Sequence, residues 1–164
     1  MEKLNELFNQ DKYISYKEYE CFCEINNINI DEDLLNKRNN KFVDEKLIEY
    51  KDYFDHIFTD VGEDINLDEE QRRIILTDDD YCLVNAGAGS GKSTTMAAKV
   101  KYLVDKLNIK PEEIIMLTFT KKSSEDLDEK VNEVLDLGIP VSTFHSLGMK
   151  FIKRFYPYPI KVVG

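Results

Sequence analysis

The chain has 164 residues and a formal net charge of −10, a length that suits one domain or a domain with an extension. So acidic a chain does not bind nucleic acid through its overall charge, and any such contact needs a local basic patch. The first twenty residues lack the apolar core of a signal peptide, and no apolar run is long enough to span a bilayer. These features predict a cytoplasmic protein without a membrane partner.

Residues 1–65 predict a helical amino-terminal extension. They contain no Pro and repeat apolar side chains at helical spacing, in one series that begins at Tyr16 and another from Val43 to Phe58. The second series predicts an amphipathic helix whose apolar stripe packs on the rest of the chain, and docking of a protein partner is the alternative. The polar segment 26–40 between them predicts a loop or a short helix.

The three cysteines do not predict a metal site. Cys21, Cys23 and Cys82 lack metal-ligand spacing, and His56 and His145 lie far from them in sequence. We expect reduced thiols rather than a zinc site.

From residue 66 to residue 164 the pattern changes to alternating helices and short apolar strands, punctuated by Pro and Gly. The predicted strands cover residues 81–86, 114–119 and 140–143. The predicted helices cover residues 68–76, 92–107, 121–136 and 144–155. Repeated βα units of this kind predict an α/β fold in which helices flank a parallel sheet.

A glycine-rich loop separates the first predicted strand from its helix. It consists of Ala86, Gly87, Ala88, Gly89, Ser90, Gly91, Lys92, Ser93 and Thr94, and departs from the P-loop (Walker A) pattern only in the Ala at its first position. Glycines let backbone N–H groups approach a phosphate, and the following helix points the positive end of its dipole at the same anion. We expect Lys92 to reach the β- and γ-phosphates and Ser93 to hold Mg²⁺. The sequence therefore predicts a nucleoside triphosphate site at residues 86–94.

Three further stretches accompany the loop in order, at residues 67–73, 117–122 and 141–147. With the loop, they resemble the amino-terminal part of the UvrD/Rep-like DNA helicases of superfamily 1, and the helicase IV-type members in particular. The resemblance covers residues 67–155 and leaves the extension outside, although helicase IV-like proteins also carry amino-terminal extensions. It implies the first part of a RecA-like P-loop NTPase domain that uses ATP and Mg²⁺. It also implies single-stranded DNA as the partner, with movement from 3′ to 5′ along it.

The resemblance implies a role for one residue before the loop. Gln71 matches the glutamine with which the family reads adenine, and an amide suits that task because it can pair with adenine N6 and N7 together. Taken by themselves, Asp68 and Gln71 match a helix capping box, which is the alternative.

The other two stretches match the motifs that the family uses to contact DNA, named Ia and Ib. The matching residues are Phe119, Thr120, Lys121, Thr143, Phe144, His145 and Ser146. For Phe119, core packing and base stacking are open alternatives, and for Thr120 the alternative is a helix N-cap. His145 either contacts a DNA phosphate or completes the start of a helix.

The chain departs from the family in two ways. Thr94 stands where many members have an arginine, and the Asp-Glu pair of motif II is absent before Gly164. We therefore expect a chain that ends within its first RecA-like domain and binds nucleotide without turnover, with Lys92 a catalytic residue of the parent ATP-dependent helicase. A non-hydrolysing nucleotide-binding or protein-docking module, docking through residues 1–65, is the alternative. A small kinase is disfavoured because it would not need motifs Ia and Ib.

Overall fold

The computed structural model describes residues 2–87 and 89–156. The chain forms two compact units, one that runs to Thr95 and one that starts at Met96. The helices are α1 (Glu2–Phe8), α2 (Tyr16–Asn26), α3 (Glu32–Glu49), α4 (Lys51–His56), α5 (Glu69–Leu76), α6 (Lys92–Asp105), α7 (Lys121–Asp128) and α8 (Phe144–Phe155). The strands are β1 (Met116–Thr118) and β2 (Val141–Thr143). Among the described residues, no helix has the length and apolarity needed to cross a membrane.

The first unit contains two apolar regions. One joins α1, α2 and the start of α3 through buried side chains, namely Leu7, Ile14, Tyr19, Cys23 and Leu35. The other lies along α3, α4 and α5, where Val43, Phe54 and Phe58 of the predicted apolar stripe are buried. These three residues of the stripe are therefore buried within this unit.

Two expectations for the extension need correction. Residues 32–40, predicted as part of a loop or short helix, belong to the long helix α3, whose N-cap Asp31 accepts a hydrogen bond from the Leu34 backbone at 3.0 Å. The Val43–Phe58 series does not form one helix, because α3 ends before Tyr50 and α4 begins after it. Periodicity missed the first point because the exposed first turns of α3 carry few apolar side chains.

The predicted strand 81–86 does not form. Residues 81–87 have no regular secondary structure, and Tyr81 and Leu83 are 94% and 96% exposed. Cys82 is exposed as well. A short apolar run becomes a strand only where another strand pairs with it, and no strand among the described residues pairs with this run.

The second unit contains a two-stranded parallel sheet. β1 pairs with β2, with Met116 opposite Val141 and Thr118 opposite Thr143. The parallel arrangement is as predicted, but the described sheet has two strands, since the first predicted strand, at residues 81–86, does not form. The predicted helix at 121–136 is α7 followed by a π-helical segment over Glu129–Val134.

Candidate functional site

The glycine-rich loop has a backbone that only glycine adopts readily. Gly89 and Gly91 have φ angles of 78° and 76°, in the left-handed region where other residues are strained. Between them, the Ser90 hydroxyl donates to the carbonyl of Gly87 at 2.8 Å. Ala88, a predicted nucleotide-binding residue, lies outside the described residues.

Lys92 folds back over the loop. Its Nζ donates to the carbonyl oxygens of Ala86 and Gly87, at 2.8 Å each. The side chain is exposed, so its ammonium is available to an anion that exchanges with these two carbonyls. The donor set of the loop, an ammonium beside glycine N–H groups at a helix start, therefore fits a phosphate group.

The first turn of α6 is held by Thr95, next to the two residues proposed for Mg²⁺ and nucleotide. Both the backbone N–H and the hydroxyl of Thr95 donate to the carbonyl of Gly91, at 2.8 and 3.0 Å. Ser93 is exposed on the same turn and Thr94 is half-buried. In the described residues, no group of three or more His, Cys, Asp or Glu side chains is arranged to hold a metal ion.

Gln71 makes the capping box and also contacts the loop. Its Oε1 accepts from the Asp68 backbone at 2.9 Å, while its own backbone N–H donates to Asp68 Oδ1 at 2.8 Å. At the other end of the amide, Nε2 donates to the carbonyl of Ser90 at 3.4 Å. The capping alternative is thus realised, and it leaves the amino group of the same amide directed toward the glycine-rich loop.

The two stretches that match motifs Ia and Ib lie side by side. They follow β1 and β2, whose parallel pairing sets Thr118 opposite Thr143 and brings both carboxyl ends to the same edge of the sheet. Each helix that follows has the same N-cap: Thr120 Oγ1 accepts from the Ser123 backbone at 3.1 Å, and Thr143 Oγ1 accepts from the Ser146 backbone at 3.2 Å.

Phe119 is 89% exposed and Phe144 is 60% exposed. Core packing, one of the two alternatives for Phe119, is therefore wrong for this structure. Lys121 is also exposed and lies 3.5 Å from Glu125, a solvated pair within α7. The edge thus presents two rings and an ammonium to solvent.

His145 lies in a shallow groove of about 320 Å³ beside α8, lined also by Ser146, Met149, Lys150 and Lys153. Lys150 and Lys153 give this face of α8 a local positive charge, the kind of feature that an acidic chain needs for contact with a polyanion. Sequence reasoning missed the two lysines, although they are three positions apart, a spacing that places both on one face of a helix.

Sequence reasoning also missed the ties between the extension and α5. Arg72 and Arg73, the two residues after Gln71, form ion pairs with Asp55 and Asp44 at 2.6 and 2.7 Å. The partners lie 17 and 29 positions apart in sequence, so no local pattern pointed to them.

A family model for the UvrD/REP helicase N-terminal domain matches residues 67–158, more than half of the chain. The chain belongs to this family. The match starts just before the capping box of α5 and includes the glycine-rich loop and both stretches at the sheet edge. The resemblance predicted from the four motifs is therefore confirmed.

Named relatives agree with this family. DNA helicase IV of Escherichia coli (strain K12) is 32% identical over 119 residues, which are 72% of this chain and 17% of the relative. ATP-dependent DNA helicase Rep of the same strain is 39% identical over 79 residues, 46% of this chain and 12% of the relative. ATP-dependent DNA helicase PcrA of Bacillus subtilis (strain 168) is 34% identical over 91 residues, 54% of this chain and 12% of the relative. The chain thus spans less than a fifth of the length of these relatives.

Proposed function

We propose that this chain is the ATP-binding portion of an ATP-dependent DNA helicase that couples ATP hydrolysis to movement on single-stranded DNA. The observation that carries the proposal is the contact between Gln71 and the phosphate loop, at 3.4 Å from Nε2 to the Ser90 carbonyl. A residue suited to reading adenine and a loop suited to binding phosphates then lie within the length of one nucleotide. Rep and PcrA, two of the relatives, are named ATP-dependent DNA helicases, and this supports the same interpretation.

In this proposal, residues 86–94 bind the phosphates of ATP. Lys92 leaves the carbonyls of Ala86 and Gly87 and places its charge on the β- and γ-phosphates, where negative charge grows during transfer. The Ser93 hydroxyl would hold a magnesium ion, which would neutralise phosphate charge when bound. Gln71 reads the adenine edge: its amino group donates to N7, and its carbonyl oxygen, which has two lone pairs, accepts from N6 and keeps the cap of α5.

The proposed fold is the first part of a RecA-like domain, over residues 66–164, preceded by the extension of residues 1–65. Residues 144–164 contain no Asp or Glu, so this segment offers no acidic pair to polarise an attacking water. We therefore expect this chain alone to bind ATP without turnover, as a cytoplasmic helicase segment.

The sheet edge is the proposed track for single-stranded DNA. Phe119 and Phe144 offer exposed rings for base stacking, and Lys121 and His145 offer contacts to phosphate. Thr120 and Thr143 hold the starts of the helices that carry these side chains. The partner class that fits this edge is an unpaired strand, because its bases are free to stack.

The test measures ATP binding and steady-state ATP hydrolysis by the 164-residue chain, with and without single-stranded DNA. Lys92→Ala is the variant, Lys99→Ala in the middle of α6 is the matched control, and circular dichroism confirms that each chain is folded. We expect ATP binding that Lys92→Ala weakens at least about tenfold, since a charge-assisted phosphate contact is lost, and no turnover in either chain.

Two other outcomes would change the proposal. A folded chain that binds neither ATP nor single-stranded DNA would contradict it and favour a protein-docking module. DNA-stimulated turnover that Lys92→Ala abolishes would keep the helicase assignment but show that the chain supplies its own acid.

A further inference from the structure

We propose that the amino-terminal extension positions the nucleotide site, with Asp55 as a positioning residue that acts on Gln71 through Arg72. This inference rests on the proposed function and goes beyond it, because it assigns a role to residues outside the helicase family match. It identifies the extension as part of the adenine-reading apparatus rather than a module that docks a separate protein.

The contacts of Arg72 carry the inference. Its Nη2 donates to Asp55 Oδ1 at 2.6 Å, and its Nε donates to the carbonyl of Leu67 at 2.9 Å. The guanidinium also lies over the ring of Phe54, 5.8 Å from the centroid. Only 15% of the Arg72 side chain is exposed. One side chain therefore fixes the first turn of α5 to α4 and to Leu67, the residue before its N-cap.

That first turn is the one that presents Gln71. One end of the Gln71 amide is held in place, since its Oε1 accepts a hydrogen bond from the Asp68 backbone at 2.9 Å. Its amino group therefore moves as a unit with the start of α5. A rotation of that turn of the helix by a few degrees would shift Nε2 against any adenine without moving the phosphate loop itself.

The extension holds α5 and the segment before the loop at further points. Arg73, the next residue, pairs with Asp44 of α3 at 2.7 Å. On the other side, the backbone N–H groups of Tyr16 and Lys17 donate to the carboxylates of Asp79 and Asp80, at 3.0 and 3.2 Å. The extension thus contacts both chain segments that flank the Gln71–Ser90 contact, one in the helix and one in the run that leads to residue 86.

The experiment compares two ligands, ATP and inorganic tripolyphosphate, on the 164-residue chain by isothermal titration calorimetry. Asp55→Asn keeps the shape of the side chain and removes its charge. Lys51→Gln is the matched control, because Lys51 Nζ pairs with the same carboxylate at 2.6 Å from within α4 and does not tie it to α5. Asp55→Glu serves as the rescue variant, since it restores a carboxylate.

We expect Asp55→Asn to weaken ATP binding about fivefold and to leave tripolyphosphate binding unchanged. The substitution removes a charge-assisted hydrogen bond to Arg72, and its effect reaches Gln71 only through that one residue. Lys51→Gln and Asp55→Glu should bind both ligands within about twofold of the original chain. Arg72→Lys is a second variant for the case that Asp55→Asn does not fold. A lysine keeps the charge but cannot donate to Asp55 and Leu67 in the same fork, so the same selective loss is expected.

Equal weakening of ATP and tripolyphosphate would overturn the inference, because it would mean a general loss of structure. Unchanged ATP binding in both Asp55→Asn and Arg72→Lys would also overturn it while leaving the proposed function intact. An original chain that is folded and binds neither ligand would instead contradict the proposed function, and this inference with it.

Discussion

The side chain of Gln71 occupies the space that a β-carbon on Gly91 would need. Such a β-carbon would lie 2.7 Å from Gln71 Nε2, closer than β-carbons approach other atoms. Gly91 also has a φ of 76°, which strains any other residue, and a side chain there would in addition displace the Gln71 amide. The absence of a side chain at Gly91 thus lets Gln71, the candidate for adenine contact, pack directly against the glycine-rich loop.

Gly91→Ala should therefore damage the site more than Gly89→Ala. Both substitutions impose a left-handed alanine, at a cost of about 1–2 kcal/mol, but only the first also displaces Gln71. Thermal unfolding and ATP binding check this, with Gly87→Ala as the control that meets nothing within 4 Å. If adding Gln71→Ala to Gly91→Ala recovers no stability, the steric argument is wrong.

Gln71→Glu should separate the two roles of this residue. A glutamate at this position of a capping box still accepts from the Asp68 backbone, so urea unfolding should change little. It cannot donate to Ser90 or to a base, so we expect ATP binding to fall about tenfold. Asp68→Ala is the converse control and should lower the free energy of unfolding by about 1 kcal/mol. A Gln71→Glu chain that binds ATP like the original would argue against adenine contact.

Phe119→Ala should weaken binding of single-stranded DNA without changing stability. The ring is 89% exposed, so its removal should alter the free energy of unfolding by less than about 0.5 kcal/mol. A stacked base contributes about 1–3 kcal/mol to binding, which fluorescence anisotropy with a labelled oligonucleotide would detect. Ile48→Ala, which removes an 81% exposed side chain from α3, is the control. Equal DNA affinities of the two variants would contradict a stacking role.

Thr120→Ala and Thr143→Ala should each destabilise the fold by about 1 kcal/mol, because each removes the side-chain acceptor at a helix start. Thr120→Ser and Thr143→Ser keep that acceptor and should restore most of the loss. Urea unfolding followed by circular dichroism measures the difference. Alanine variants as stable as the originals would mean that solvent caps these helices equally well.

The stability that Asp55 contributes should disappear in acid. Hydrogen bonds from Lys51, which has the larger effect, and from Arg72 lower the pKa of Asp55 below its ordinary value. The unfolded chain therefore takes up the proton first as the pH falls, so the stabilisation is complete above about pH 5 and is lost through the folded-state pKa. The melting temperature of the original chain should exceed that of Asp55→Asn at pH 7, and the gap should shrink toward pH 3. A gap that stays constant with pH would contradict this assignment.

Local sequence determined most of the elements around the candidate site. The cap residues Asp68, Thr120 and Thr143 mark helix starts in the sequence because a side-chain oxygen satisfies a backbone N–H two or three residues later. α8 begins and ends where its apolar spacing predicted, and α5 begins at the residue after its cap. The glycine-rich loop could also be identified from the sequence, since phosphate binding requires particular residues at particular spacings. The neighbouring motifs could be identified from their order along the chain.

Tertiary structure decided what depends on distant partners. The run at residues 81–86 has the composition of a strand, yet a strand forms only where another strand pairs with it. Phe119 follows an apolar strand, so its sequence context did not distinguish a buried ring from an exposed one. In the structure the ring is exposed to solvent. The sequence did not indicate the pairing of Asp55 with Arg72. The acceptor and donor are 17 residues apart, and nothing in the local sequence shows which of the many charged residues pair with each other. The sequence by itself thus determined the candidate site residues, because a motif requires particular residues at particular spacings, and the packing of α3, α4 and α5 decided which distant residues contact them.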